Sequence, residues 1–153
     1  MCLSASRINT KLFILWKKII RKKTVTIWKP VIKEDSSDHL VTFYQYTIIP
    51  SSGTLISDRE YQKIGYDCRD TGRWEIDINR GIHGFLNFCD AKRNRNRNAN
   101  SGLSVAIVKF TVELKDIVAI GKFGCYDGDP SLVAMQAEVD PESYQAAIKQ
   151  LLK

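Results

Sequence analysis

Residues 24–33 read TVTIWKPVIK, a run rich in β-branched side chains with a tryptophan, Trp28, near its centre. Branched and aromatic side chains are enriched in strands because they pack well on a pleated surface. The run therefore predicts a β-strand. Pro30 has no N–H to donate to a neighbouring strand, so we expect this strand to lie at a sheet edge or to end there.

Further strands are predicted on the C-terminal side of this run. Alternating or β-branched apolar residues indicate strands at 39–50, 73–81, 103–114 and 116–124. Residues 131–139 fit either a strand or the start of a helix. Because the strands follow one another with few helices between them, the pattern favours an α+β domain built on a largely antiparallel sheet.

Two helices are predicted within residues 24–153, which we interpret as a single domain. The C-terminal one follows Asp140 as its cap and has Pro141 at its first position, with an apolar stripe that includes Tyr144 and Ile148. The central one follows Asn87, an expected N-cap, and carries Asp90 in its first turn.

The first 23 residues form a basic arm that we predict to be an amphipathic helix. Seven of the 23 Lys and Arg residues lie in it and no acid precedes Glu34, which leaves 16 bases against 17 acids elsewhere. The basic charge therefore belongs to the arm and does not mark the whole domain as a nucleic-acid binder. The arm could contact a membrane or an acidic partner. We favour the alternative in which Ile14, Leu15, Ile19 and Ile20 dock on the domain.

The four cysteines are far apart and form no C-x-x-C pair, and the two histidines are distant from each other. This spacing does not predict a metal site, and we expect no cofactor. The apolar stretch in the arm is shorter than the roughly 20 residues that span a bilayer, so we expect no stable membrane insertion. With no secretory signal and unpaired cysteines, we expect a cytoplasmic location.

Residues 79–102, NRGIHGFLNFCDAKRNRNRNANSG, hold the most distinctive composition of the chain. Gly81 and Gly84 predict a sharp turn around His83, followed by the central helix. His83, Cys89 and Asp90 have no spacing that brings them together as a nucleophile set, so we predict no catalytic residues.

The same segment has the composition of a phosphate-binding site. Glycines let the backbone approach a ligand, and a helix N-terminus offers amide donors. Strand aromatics could stack a base. The competing interpretation is that the aromatics are core and the Arg/Asn run is a solvated face. The predicted ligand-binding residues are Trp28, Tyr44, Arg80, His83, Asn87, Lys92, Arg93 and Arg97.

Several segments together resemble a loose group of small phage and prophage proteins. They are the opening MCL, the strand KKTVTIWKPVI, the segment FYQY, the stretch GIHGFLNFCDA and the late AIVKFTVELKDIVAIG. The chain departs from that group in the late strand, where FTVELKD replaces a Pro-Gly turn, and in its extended basic arm. The order of strands and helix is also similar to the split sheet of ADP-ribosyltransferases, for which Glu113 and Glu138 would be the catalytic candidates, although no Ser-Thr-Ser motif is present.

The phage resemblance implies a protein that sequesters a nucleotide immune signal of the host without turnover and so counteracts anti-phage defence, as a homo-oligomer. The ADP-ribosyltransferase likeness implies instead an enzyme that consumes NAD. A third hypothesis is an inhibitor that binds a host protein or a nucleic acid through the basic arm. The sequence leaves these three open.

Overall fold

The structure is a computed structural model that describes residues 3–5, 7–34, 39–42, 47–57, 63–68, 73–78, 81–100, 102–123 and 129–152. The helices of these ranges are α1 (Arg7–Ile19), α2 (Phe88–Ala99) and α3 (Pro141–Leu151), with a 3-10 turn at Leu114–Asp116. The strands are β1 (Leu3–Ala5), β2 (Thr24–Lys33), β3 (Leu40–Thr42), β4 (Ile48–Ile49), β5 (Gly53–Ile56), β6 (Lys63–Cys68), β7 (Arg73–Ile78), β8 (Ile82–Phe85), β9 (Val105–Glu113), β10 (Ile117–Phe123), β11 (Asp129–Ala134) and β12 (Gln136–Val139).

The described strands form one sheet in the order β5-β12-β9-β2-β8-β11-β10-β1-β7-β6, with β3 beside β2 and β4 beside β3. Their pairings are antiparallel throughout. The prediction of an α+β fold on a largely antiparallel sheet is therefore confirmed.

β2 is a central strand, so the expectation that Pro30 marks a sheet edge or a strand end is wrong. One side of β2 pairs with β9 from Thr24 to Ile32. On the other side β2 pairs with β8 at Trp28 and with β3 from Val31 to Lys33. We call the point at Pro30, where the partner changes from β8 to β3, the fork. A proline is tolerated there because neither β8 nor β3 pairs with Pro30 on that side.

Two sequence expectations near the fork are also corrected. The predicted strand at 39–50 is a hairpin, since Leu40 pairs with Ile49, and residues 43–46 lie outside the described ranges. The predicted turn around His83 is strand β8. Gly81 supplies a backbone bend with φ of +100°, and Gly84 lies where a Cβ would be 2.7 Å from Cδ1 of Ile27. Gly81 is therefore favoured by its backbone conformation and Gly84 by close packing against Ile27.

The core lies on the face of the sheet that α1 and α3 cover. Ile27 and Phe110 are fully buried there, against Tyr144 and Ala147 of α3. α2 covers the opposite face, where Phe88 contacts Trp28. α3 begins as predicted, because the Asp140 side chain accepts a hydrogen bond from the backbone N–H of Ser143 at 3.2 Å.

The N-terminal residues contribute a strand and a helix that contact the predicted domain of residues 24–153. β1 lies between β10 and β7, and α1 packs on β10, where the hydroxyl of Thr10 accepts the N–H of Ile120 at 3.0 Å. The expected docking of α1 through Leu15, Ile19 and Ile20 is wrong, because all three are exposed. Only Ile14 of the predicted set packs against the core.

Candidate functional site

Lys29 interrupts a row of buried apolar side chains on β2. Side chains two residues apart on a strand share a face, so Lys29 lies on the face of Ile27 and Val31. Both neighbours are fully buried, and so is Val108, which lies opposite Lys29 on β9. Lys29 itself is partly buried. A cation is therefore placed on the core face of the central strand.

Backbone hydrogen bonds establish which way the residues of β2 point. The carbonyl of Lys23 accepts from Leu114 on the β9 side, and the N–H of Glu34 donates to His39 on the opposite side. Because the direction alternates along a strand, even-numbered residues of β2 point away from β9. The nitrogen of Pro30 consequently faces the fork.

The ammonium of Lys29 occupies the place of the hydrogen-bond donor that Pro30 lacks. Trp28 pairs with Phe85, and the same register continued by two residues would put Pro30 opposite His83. A backbone N–H there would donate to the carbonyl of His83, but proline has none. Nζ of Lys29 donates to that carbonyl instead, at 2.8 Å. The ammonium of Lys29 thus lies at the fork.

Burial lowers the pKa of Lys29 from 10.5 to about 8 by desolvating the ammonium. The charged form loses hydration, and an uncharged carbonyl replaces only part of it. Among the described residues, no carboxylate forms an ion pair with Lys29. Because buried charges are usually paired, a desolvated ammonium without an opposite charge is a candidate for binding an anion.

His83 and Trp28 lie beside the fork, but neither is freely exposed. His83 contributes its backbone carbonyl to Lys29, and both nitrogens of its ring are buried. Trp28 is partly buried and packs edge-on against Phe88, with 5.1 Å between ring centroids and 70° between the planes. Phe88 is itself exposed.

The first turn of α2 is occupied by the protein's own charges. Asn87 is at the N-cap position, as expected, but its side chain makes no capping bond and donates to the carboxylate of Asp90 at 3.1 Å. Arg93 lies 2.6 Å from a carboxylate oxygen of Asp129 and 3.4 Å from one of Asp90. An anion at Arg93 would therefore compete with two carboxylates.

The other predicted ligand residues fall into two groups. Lys92 and Arg97 are exposed on α2. Tyr44 and Arg80 lie outside the described residues. The structure thus places Trp28 and the backbone of His83 next to the fork. The basic residues Lys92 and Arg97 instead lie on the exposed surface of α2.

The residues considered for catalysis are dispersed. Glu113 forms an ion pair with Lys115 at 2.7 Å, and Glu138 is exposed on β12. The thiol of Cys89 is exposed on α2. Within the described ranges, no three His, Cys, Asp or Glu side chains are close enough to hold a metal ion.

Lys29 was not among the sequence-predicted site residues, although the sequence contains a signal for it. Residues 27, 29 and 31 read Ile, Lys, Val in a period-two strand, so a cation occupies an inward position. The sequence predicts the strand, but Pro30 indicates a sheet edge, where an inward lysine would not be desolvated. The hydrogen bond of Lys29 is made to β8, which is distant in sequence.

A comparison with protein-family models, curated proteins and solved structures gives no match. Among the described helices, none has the length and apolar character needed to cross a bilayer.

Proposed function

We propose that this protein binds a phosphate-bearing nucleotide at the fork and releases it chemically unchanged. The observation that carries the proposal is the desolvated ammonium of Lys29, which donates to the His83 carbonyl and forms no ion pair with a carboxylate of the described residues. A phosphate oxygen next to this ammonium would supply the missing negative charge. Charge-assisted hydrogen bonds of this type are about twice as strong as neutral ones.

Neighbouring residues provide groups suited to the rest of a nucleotide. Trp28 and Phe88 form an aromatic pair on the face of the sheet opposite Lys29, which a base could contact if the nucleotide extends through the fork. Lys92 and Arg97 add exposed positive charge on α2, which would attract an anion from solution. In this proposal Arg93 keeps its place between Asp90 and Asp129 and positions the helix.

The phage resemblance gives the proposal a biological setting. A phage protein with such a site could hold a nucleotide immune signal of its host, in the host cytoplasm, and so blunt anti-phage defence. Binding without turnover is sufficient for this role, because the signal is removed by mass action. Self-association into a homo-oligomer is part of the same hypothesis.

The test is to incubate the purified protein with a nucleotide panel that includes NAD, ATP and cyclic nucleotides, remove unbound compounds, and heat-denature it. Mass spectrometry then identifies what is released. We expect an intact nucleotide from the unmodified protein and from Lys149→Met, which removes an exposed lysine of α3, and strongly reduced recovery from Lys29→Met. Equal recovery from Lys29→Met would contradict the site. Recovery of a cleaved nucleotide would contradict binding without turnover and favour the NAD-consuming alternative.

A further inference from the structure

α1 exposes an apolar stripe that points away from the domain. Leu12, Leu15, Trp16 and Ile19 have the i, i+3, i+4, i+7 spacing that places side chains on one face of a helix. Their exposed fractions are 57%, 54%, 52% and 69%. Single exposed apolar residues are common on protein surfaces, whereas four large ones in a continuous row indicate a binding surface.

The stripe does not belong to the protein's own core, because the opposite face of α1 already packs there. Phe13 and Ile14 contact the core, and Thr10 bonds to the backbone of β10. The end of the helix is also fixed. Arg21 adopts a φ of +56°, and its backbone N–H donates to the carbonyl of Lys18, which closes the last turn. α1 is therefore held with its apolar stripe outward.

Positive charge surrounds the stripe. Lys11 and Lys18 are exposed on α1, and Lys22 and Lys23 follow its end. The ammonium of Lys17 lies 4.6 Å from the centre of the Trp16 ring, beside the stripe. The sequence contains no acid before Glu34. The partner must therefore offer an apolar region together with negative charge.

We propose that α1 docks in the interface of an anionic lipid membrane, with its axis parallel to the membrane plane. A helix with an apolar face that contains tryptophan, and with lysines beside that face, has the composition of interfacial membrane-binding helices. At 13 residues α1 is about 20 Å long, too short to cross the hydrocarbon core but sufficient to lie on its boundary. A second copy of the chain fits less well, because pairing two stripes would bring like charges together.

This inference is independent of the nucleotide site, which lies on the central strand, and either one can fail alone. It is tested by co-sedimentation of the full chain with vesicles of phosphatidylcholine alone and with vesicles in which phosphatidylserine replaces part of it. We expect binding to the anionic vesicles that weakens as salt is raised.

Substitutions in α1 separate the apolar and the charged contributions. Leu12→Ser should lower the partition coefficient on anionic vesicles about tenfold or more, because burying a leucine is worth roughly 1.5–3 kcal/mol. Ile56→Ser is the matched control, since Ile56 on β5 is also 57% exposed, and it should bind like the unmodified chain. Lys11→Ala with Lys18→Ala should weaken binding about fivefold per lysine on anionic vesicles and hardly at all on neutral ones.

Several outcomes would overturn the inference. Absence of vesicle binding would do so, and so would equal losses from Leu12→Ser and Ile56→Ser. A concentration-dependent dimer that Leu12→Ser abolishes, in a chain that binds no vesicles, would assign the stripe to a second copy. Vesicle binding that is insensitive to phosphatidylserine would refute the role of the lysines. Circular dichroism of each variant would confirm that the fold is retained.

Discussion

The lowered pKa of Lys29 makes a quantitative prediction about stability and pH. Lys29 has a pKa of about 8 in the folded chain against 10.5 in the unfolded one. Between these values the unfolded state binds more protons than the folded state, so the free energy of unfolding rises with pH. Below pH 8 both states are protonated and the cost of the buried charge is fully present. Above 10.5 both are neutral and that cost is gone.

The size of the rise follows from the difference between the two pKa values. At about 1.36 kcal/mol per pKa unit it is roughly 3 kcal/mol, and because Lys29 is only partly buried this figure is an upper bound. Lys29→Met removes the titrating group and keeps an unbranched side chain. The variant also leaves the His83 carbonyl without its donor, which adds a cost of about 1–3 kcal/mol that does not depend on pH.

The assay is urea unfolding of the unmodified chain and Lys29→Met at a series of pH values from 7 to 11. Other lysines, tyrosines and cysteines titrate in this range, but they are common to both proteins and cancel in the difference. We expect the unmodified chain to gain stability relative to the variant as pH rises through 8 and to level off above 10.5. Lys149→Met, which removes an exposed lysine, should run parallel to the unmodified chain. Parallel curves for Lys29→Met would refute the reasoning.

Three further substitutions, one in β8 next to the fork and two in or after α1, are tested by urea unfolding. Gly84→Ala should lower the free energy of unfolding by about 1–3 kcal/mol, because its Cβ would meet three carbon atoms of Ile27 at 2.7–3.0 Å; an unchanged value would show that the strands can separate. Thr10→Val should cost about 1–3 kcal/mol by leaving the N–H of Ile120 without an acceptor, and Thr10→Ser should restore most of it; equal losses would point to packing. Arg21→Gly should raise stability by up to about 1 kcal/mol, since glycine adopts the positive φ without strain; a loss would mean that the Arg21 side chain is needed there.

The sequence predicted most elements because their signals are local. The C-terminal helix was identified from Asp140 and Pro141, which act within one turn, and the structure places them at the cap and first position of α3. β9 and β7 were identified from their runs and alternation of apolar side chains. Such patterns depend on a few adjacent residues and on no distant partner.

Features that depend on distant partners were missed. The fork exists because β8 and β3 meet the same side of β2, and nothing near Pro30 in the sequence reports either neighbour. The glycines around His83 indicated a turn by their backbone freedom, whereas Gly84 is small because Ile27 packs against it. The same limit applied to α1, whose amphipathic pattern was correct but whose outward face could not be assigned without β10.

The basic residues of the site show the same limit. In the sequence, Lys92, Arg93 and Arg97 are three similar basic side chains of one helix. Only the fold shows that Arg93 pairs with Asp129, which lies 36 residues away. The sequence predicts the strand that contains Lys29 but not the role of Lys29 itself. Its significance comes from desolvation, which is a property of the assembled sheet and not of its neighbours in sequence.

The most direct test of the central claim is to measure the pKa of Lys29 by NMR of its side chain, with and without the nucleotide that is recovered in the release experiment, or with inorganic phosphate if none is recovered. Lys29→Met identifies the resonance by its disappearance. The account predicts a pKa of about 8 in the free protein and a clear rise when the anion is bound, because the phosphate stabilises the charged ammonium. A pKa near 10.5 in the free protein, or one that the anion leaves unchanged, would contradict it.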